Sequence, residues 1–139
     1  MKTDPNDRGE TLIELLVTVV IVGVAVVALV GGIATSIRMS DIHRKQAQAG
    51  AYLRTYAETI EYYVTVSGKY TPCGTYNDVS FDHDPAYEPK ITGVRYWNSS
   101  SSAFATVCTS DSGIQKVSLK VSTKDNTVTE TLDIIIRKP

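Results

Sequence analysis

Arg8-Gly9-Glu10-Thr11-Leu12-Ile13-Glu14-Leu15-Leu16 opens an apolar run that continues through Ile37. From Leu15 to Ile37 no side chain is ionisable. At about 1.5 Å per helical residue that stretch exceeds the roughly 30 Å hydrocarbon core of a bilayer, so it is long enough to span one. Glu14 stands one residue before the uncharged run. An acid in a membrane helix costs roughly 2.5–3.5 kcal/mol at mid-bilayer and less near its edge, so a carboxylate here calls for a partner.

A short polar leader ending in Gly9, then Thr11-Leu12-Ile13-Glu14-Leu15-Leu16 and an unbroken apolar helix, resembles the N-terminal segment of type IV prepilins and pseudopilins. The resemblance covers Met1 to about Ile37 and rests on a glycine, a four-residue gap and a glutamate leading into an uncharged span. It implies that a membrane-embedded prepilin peptidase cuts after Gly9 and that Glu10 becomes the methylated first residue. Glu14 would then be the carboxylate that assists assembly into a helical filament. Gly23 also falls where the family often has a glycine. The family usually begins its mature chain with Phe or Met, where this sequence has Glu10. It often carries a helix-loosening proline where this sequence has Gly31-Gly32, and two glycines loosen a helix by about 1 kcal/mol each relative to alanine.

The physics of Glu14 agrees. A carboxylate in an apolar setting is tolerated when a cation reaches it, and cutting after Gly9 frees an α-amine that a neighbouring helix in a packed filament would bring close. Because both groups must first lose water, the pair serves register and recruitment more than net stability. The competing reading places Glu14 at the headgroup level of an ordinary signal anchor.

The 139 residues leave room for one domain beyond an anchor, and a net charge of −1 with pI near 6.1 gives no overall bias toward a polyanion, so nucleic acid is not indicated by charge. Apolar residues crowd the first third after the leader, whereas Thr, Ser and Asn enrich the rest. One part suits lipid and the other water. Cys73 and Cys108 both lie beyond the apolar run, and if that portion is outside the cytoplasmic membrane an isolated pair reads as a disulfide; two unpaired buried thiols are the alternative.

In chain order, residues 1–9 read as a leader, 10–37 as a transmembrane or filament-core helix, 38–68 as an amphipathic helix and 69–139 as an extracytoplasmic β-sheet head. A signal peptide cut near Gly32-Ile33-Ala34 competes with the leader, but the apolar run is longer than such segments usually are and carries Glu14 at its entrance. Arg38, Arg44 and Lys45 follow the span while Lys2 and Arg8 precede it, so charge does not orient the helix and the orientation comes from the resemblance.

No proline occurs between Pro5 and Pro72, so the helix can run on past the membrane. Ile42, Ala49, Leu53, Tyr56, Ile60 and Tyr63, widened by Ala57 and Val64, form an apolar stripe at helical spacing. One helix of roughly 55 residues, about 80 Å, is expected, ending at Gly68 before Pro72. The tyrosines at 52, 56, 62 and 63 read as core.

Lys69 to Lys90 is irregular, with an acidic group at Asp78, Asp82, His83, Asp84 and Glu88 whose oxygens raise the question of calcium but lack EF-hand spacing, so that it reads as a solvated loop. Four strand signals follow, Ile91–Trp97, Ala103–Thr109 with Cys108 on it, Gln115–Thr123 and Thr127–Arg137. Lys124-Asp125-Asn126 is the last turn. They are expected as an antiparallel meander covered by the helical stripe, an α+β architecture. Ile135 would face outward, and Arg95-Tyr96-Trp97 reads as strand packing, with a DNA-uptake role as the alternative that the family resemblance alone offers.

No nucleophile motif, phosphate loop or zinc spacing accompanies His43 or His83, so no catalytic residue, metal ligand or cofactor is assigned. The sequence reads as a minor pilin or pseudopilin of a type IV pilus or type II secretion-like filament. Its implied partners are the prepilin peptidase, other pilin subunits and membrane lipid. It would sit in the cytoplasmic membrane by a single pass with its head outside, and then in an extracellular filament. The alternative is a membrane-anchored extracytoplasmic binding module that never polymerises.

Overall fold

The computed structural model describes residues 12–139. Gly9 and Glu10 lie outside the described residues. The architecture is α+β, a long helix α1 (Leu12–Thr65) and strands β1 (Tyr87–Asn98), β2 (Ala103–Ala105), β3 (Ile114–Thr123) and β4 (Thr129–Arg137). Two compact units divide at Asp41/Ile42.

In the first unit the helix is apolar on every side. Threonine hydroxyls are kept off the apolar surface by bonding back along the helix: Thr18 donates to the Glu14 carbonyl at 2.7 Å and Thr35 to the Gly31 carbonyl at 3.0 Å. Such bonds let a polar side chain sit in an apolar helix at little cost.

In the second unit the rest of α1 packs on the sheet. Ala49, Leu53, Tyr56, Ala57, Ile60 and Val64 are buried at the spacing of one helix face. They meet Val117, Leu119 and Val121, which alternate along β3 and have no exposed surface, and Ile136 of β4. Tyr76, Val79, Tyr87 and Val128 complete the core. Burial begins at Ala49, whereas Ile42 of the stripe is 38% exposed and Tyr62 of the tyrosine group is 61% exposed, so these two stand outside the core. The helix ends at Thr65 and the chain turns away at Gly68, whose φ of +62° lies in the left-handed region that glycine enters without steric cost.

The sheet is antiparallel throughout but is not a meander. Its strand order is β2-β1-β3-β4. A three-residue β2 satisfies few backbone groups, while the twelve-residue β1 and ten-residue β3 pair from Tyr87↔Thr123 to Tyr96↔Gln115. Pairing long strand with long strand leaves fewer backbone groups without partners. A register shift between Ile91 and Gly93 bends β1. Cys108 lies in the connection after β2 and not on a strand. β4 begins at Thr129 and not Thr127, because Asp125 Oδ1 accepts the Thr127 amide at 3.1 Å and its hydroxyl at 2.7 Å, holding Thr127 in the turn.

Candidate functional site

Glu14 lies in the first turn of α1, where the helix dipole favours an acid. It is the only ionisable side chain from Leu12 to Ile37. Around it Leu12 is 84% exposed, Ile13 71% and Leu16 58%, and the exposure of large apolar residues continues through Ile37. An apolar surface on all sides suits surroundings that are apolar on all sides, which water is not. At Gly23, Gly31 and Gly32 nothing lies within 4 Å of where a Cβ would stand. The backbone is therefore bare at three points along the segment.

The head carries a second constellation. Cys73 and Cys108 form a disulfide with Cα atoms 5.7 Å apart, joining the loop after α1 to the connection between β2 and β3. Beside it sits Asp111. Its Oδ1 accepts the Tyr70 hydroxyl and the Gly113 amide, each at 2.7 Å. Its Oδ2 accepts the Cys73 amide at 2.8 Å and the Gln115 side-chain amide at 2.7 Å. Gln115, fully buried on the core face of β3, also donates to the Thr71 carbonyl at 3.0 Å and accepts the Tyr76 hydroxyl at 2.8 Å. The Tyr96 hydroxyl closes the ring by donating to the carbonyls of Cys73 and Gly74 at 3.2 and 3.3 Å.

The charges of this cluster follow from its contacts. Burial alone pushes the Asp111 carboxyl up, but the hydrogen bonds from Tyr70, Cys73, Gln115 and Gly113 outweigh it and hold the group below its ordinary value. Burial, with the neighbouring Asp111 carboxylate adding to it, pushes the Tyr76 phenol up to about 12, and raises Tyr70 further with the help of its bond to Asp111. The two sulfurs and the Asp111 carboxylate lie within 4.8 Å of one another. Both sulfurs are spent in the disulfide and both carboxylate oxygens accept donors, so the cluster is a clasp that fastens a loop to the sheet.

The acidic loop is built differently. Asp84 Oδ1 caps a turn by accepting the Ala86 amide at 2.8 Å, and His83 Nδ1 lies 3.0 Å from the Phe81 carbonyl. The His83 ring packs 5.1 Å from Phe81, which stacks on Tyr56 at 5.1 Å. A groove of about 540 Å³ runs past Tyr56, Phe81, His83 and Tyr87. Asp78 and Asp82 are exposed and do not line it.

Of the residues singled out in the sequence, Glu14 stands at the helix entrance and the two cysteines are bonded, while Gly9 and Glu10 are outside the described residues. Asp111 and Gln115 were missed. Gln115 did carry a signal: it falls on the same alternating face as Val117, Leu119 and Val121, and a polar residue on a core face requires partners. Asp111-Ser112-Gly113 before a strand was the matching turn signal.

Residues 4–30 match the family model of the prokaryotic N-terminal methylation motif. No curated protein and no solved structure matches the chain significantly. An acid alone at the mouth of an apolar helix thus lies within a segment, also containing Gly9 and Glu10, that carries a prokaryotic N-terminal methylation motif.

Proposed function

We propose that this chain is a structural subunit, a minor pilin or pseudopilin of a type IV pilus or type II secretion-like filament. It is cut after Gly9 by a prepilin peptidase, methylated on Glu10 and assembled through its N-terminal helix. The observation that carries the reading is the methylation-motif match at residues 4–30, continued by a helix that is apolar on all sides. In this reading residues 1–9 are the leader, 10–37 the membrane and filament-core helix, 38–68 the helix of the head and 69–139 its sheet. Lipid surrounds the helix of the unassembled subunit, and other subunits surround it after assembly. Glu14 attracts the α-amine of a neighbour. Cys73 and Cys108 fasten the head outside the cytoplasmic membrane, where disulfides persist.

The test is the intact mass and N-terminal sequence of the protein recovered from cells that contain a prepilin peptidase, together with its distribution between sheared surface material and membranes. A chain that begins at methylated Glu10 and appears in the sheared fraction supports the subunit. A chain that begins at Met1, or one that begins at Glu10 and stays wholly with membranes, favours an anchored module that does not polymerise.

A further inference from the structure

The sheet ends in two edges with no strand beyond them, and the two are built differently. Along residues 87–95, which β2 does not reach, β1 carries Pro89, Lys90 and the register shift between Ile91 and Gly93. A proline without an N–H, a lysine and a bulge each blunt an edge against pairing with another chain. β4 has none of them. Its nine residues follow β3 in unbroken register from Thr129 to Arg137, and no further backbone pairs with it among the described residues.

This free edge is complementary to itself. Asp133, Ile135 and Arg137 point to the outer face of β4, and Leu132, Ile134 and Ile136 to the core side. Laid antiparallel on a second copy with Ile135 against Ile135, the strand sets Asp133 against Arg137 twice and Ile134 against Ile136 twice. Odd positions meet odd and even meet even, so outer face continues outer face and core side continues core side. Apolar pairs and opposite charges at facing positions both stabilise an antiparallel join, whereas a slip that centres on Asp133 sets two carboxylates against each other. Arg137 makes no ion pair among the described residues. Asp133 accepts from Lys116 and Ser118, each at 2.7 Å, and an ionised carboxylate keeps lone pairs for a further donor. Ile135, 54% exposed, would lose its water at the centre of the join.

We propose that the β4 edge joins two copies of this chain, strand to strand, about a two-fold axis at Ile135. Such an interface uses the same patch on both partners and closes on itself. β4 begins beyond the turn where Asp125 meets Lys45 of α1 and finishes opposite Ile114, near the Asp111 bond to Tyr70 past the end of α1. It therefore runs in the same sense as residues 42–65 of α1, and the antiparallel join points those helices in opposite directions. The two copies meet from opposite sides and are not neighbours standing side by side. A join this short belongs to the weak class of interfaces, so it holds best where many copies face many. The inference concerns the head alone and does not depend on whether subunits polymerise.

Both native cysteines are bonded, so Ile135→Cys introduces the only reactive thiol. The full chain in non-ionic detergent is treated with a short bis-maleimide, and covalent dimers are read on a denaturing gel. Facing Cβ atoms stand about 5 Å apart, so Ile135→Cys is expected to cross-link about tenfold more than Thr131→Cys. The two copies of Thr131 would stand about 27 Å apart at roughly 3.4 Å per strand residue. Adding Arg137→Glu to Ile135→Cys, or adding Asp133→Lys, is expected to lower the yield about tenfold, because like charges then face each other twice. Mixing those two chains is expected to restore it, since each supplies the charge that the other has lost, and circular dichroism checks that each is folded. Absence of the cross-link at Ile135→Cys overturns the proposal. So does an equal yield at Thr131→Cys, which marks association elsewhere on the chain, an unchanged yield in folded Arg137→Glu, or no recovery in a mixture of folded chains.

Discussion

The Tyr70 hydroxyl donates to Asp111 Oδ1 across 2.7 Å, bringing together two residues 41 positions apart. A carboxyl held below its unfolded value contributes stability that is complete above that value and is lost as pH falls through the folded one. The ordinary value is 3.8, so the Asp111 contribution is expected to be full at neutral pH and to disappear in acid below about pH 4. Phenols behave in the opposite sense. Tyr70 and Tyr76 are raised, so their contribution is present below pH 10 and is lost as pH climbs toward 12. Asp111→Asn is expected to cost about 2 kcal/mol at pH 7, the scale of hydrogen bonds to a charged group. Urea midpoints of wild type and variant should converge in acid; a constant gap down to pH 2 would mean that ionised Asp111 does not hold the clasp.

The Cys73–Cys108 bridge closes a separation of 35 residues. Replacing both cysteines by serine is expected to lower head stability by about 3–4 kcal/mol, chiefly by freeing the unfolded chain. Urea unfolding of the detergent-solubilised chain measures it, and the same loss should appear when the wild type is reduced. No change on either treatment would mean that Asp111 and Gln115 suffice to fasten the loop.

Ile60 has no exposed surface and lies within the cluster that joins helix to sheet. Ile60→Ala is expected to destabilise the head by about 2–5 kcal/mol, whereas Ile135→Ala, at a residue 54% exposed, should change it by less than about 0.5 kcal/mol. Similar effects from the two would contradict the placement of Ile60 in the core between α1 and the sheet, or of Ile135 on the outer face of β4.

Glu14→Ala removes the only ionisable group from Leu12 to Ile37. On the subunit reading, membrane insertion and processing should be unchanged while incorporation into filaments falls, seen as depletion of the variant from sheared material against the membrane fraction. Normal filament yield would remove the recruitment role.

Periodicity made much of the fold legible. The stripe from Ala49 to Val64 and the alternation of Val117, Leu119 and Val121 each report a single buried face, and Gly68 marks the end of α1. Strand order was not legible, because alternation says which face is buried and nothing about which strand lies beside which. Cys108 looked like a strand residue because its neighbours are apolar, yet Val107 is 70% exposed and the chain there serves the disulfide. The clasp was hidden for a related reason. Asp111 meets Tyr70 and Cys73 only after the connection from β2 has brought it back past β1, and no local pattern encodes that return.

The pairing of β1 directly with β3 leaves the chain between Asn98 and Cys108 as an excursion from a three-stranded sheet that is complete without it. Surface segments of this kind accept insertions and deletions that a ladder does not. Residues can therefore be added, removed or exchanged between two fixed posts, Asn98 and Cys108, while the register beneath stays in place. A lineage carrying this fold is free to rewrite what the end of the sheet displays without redesigning the head.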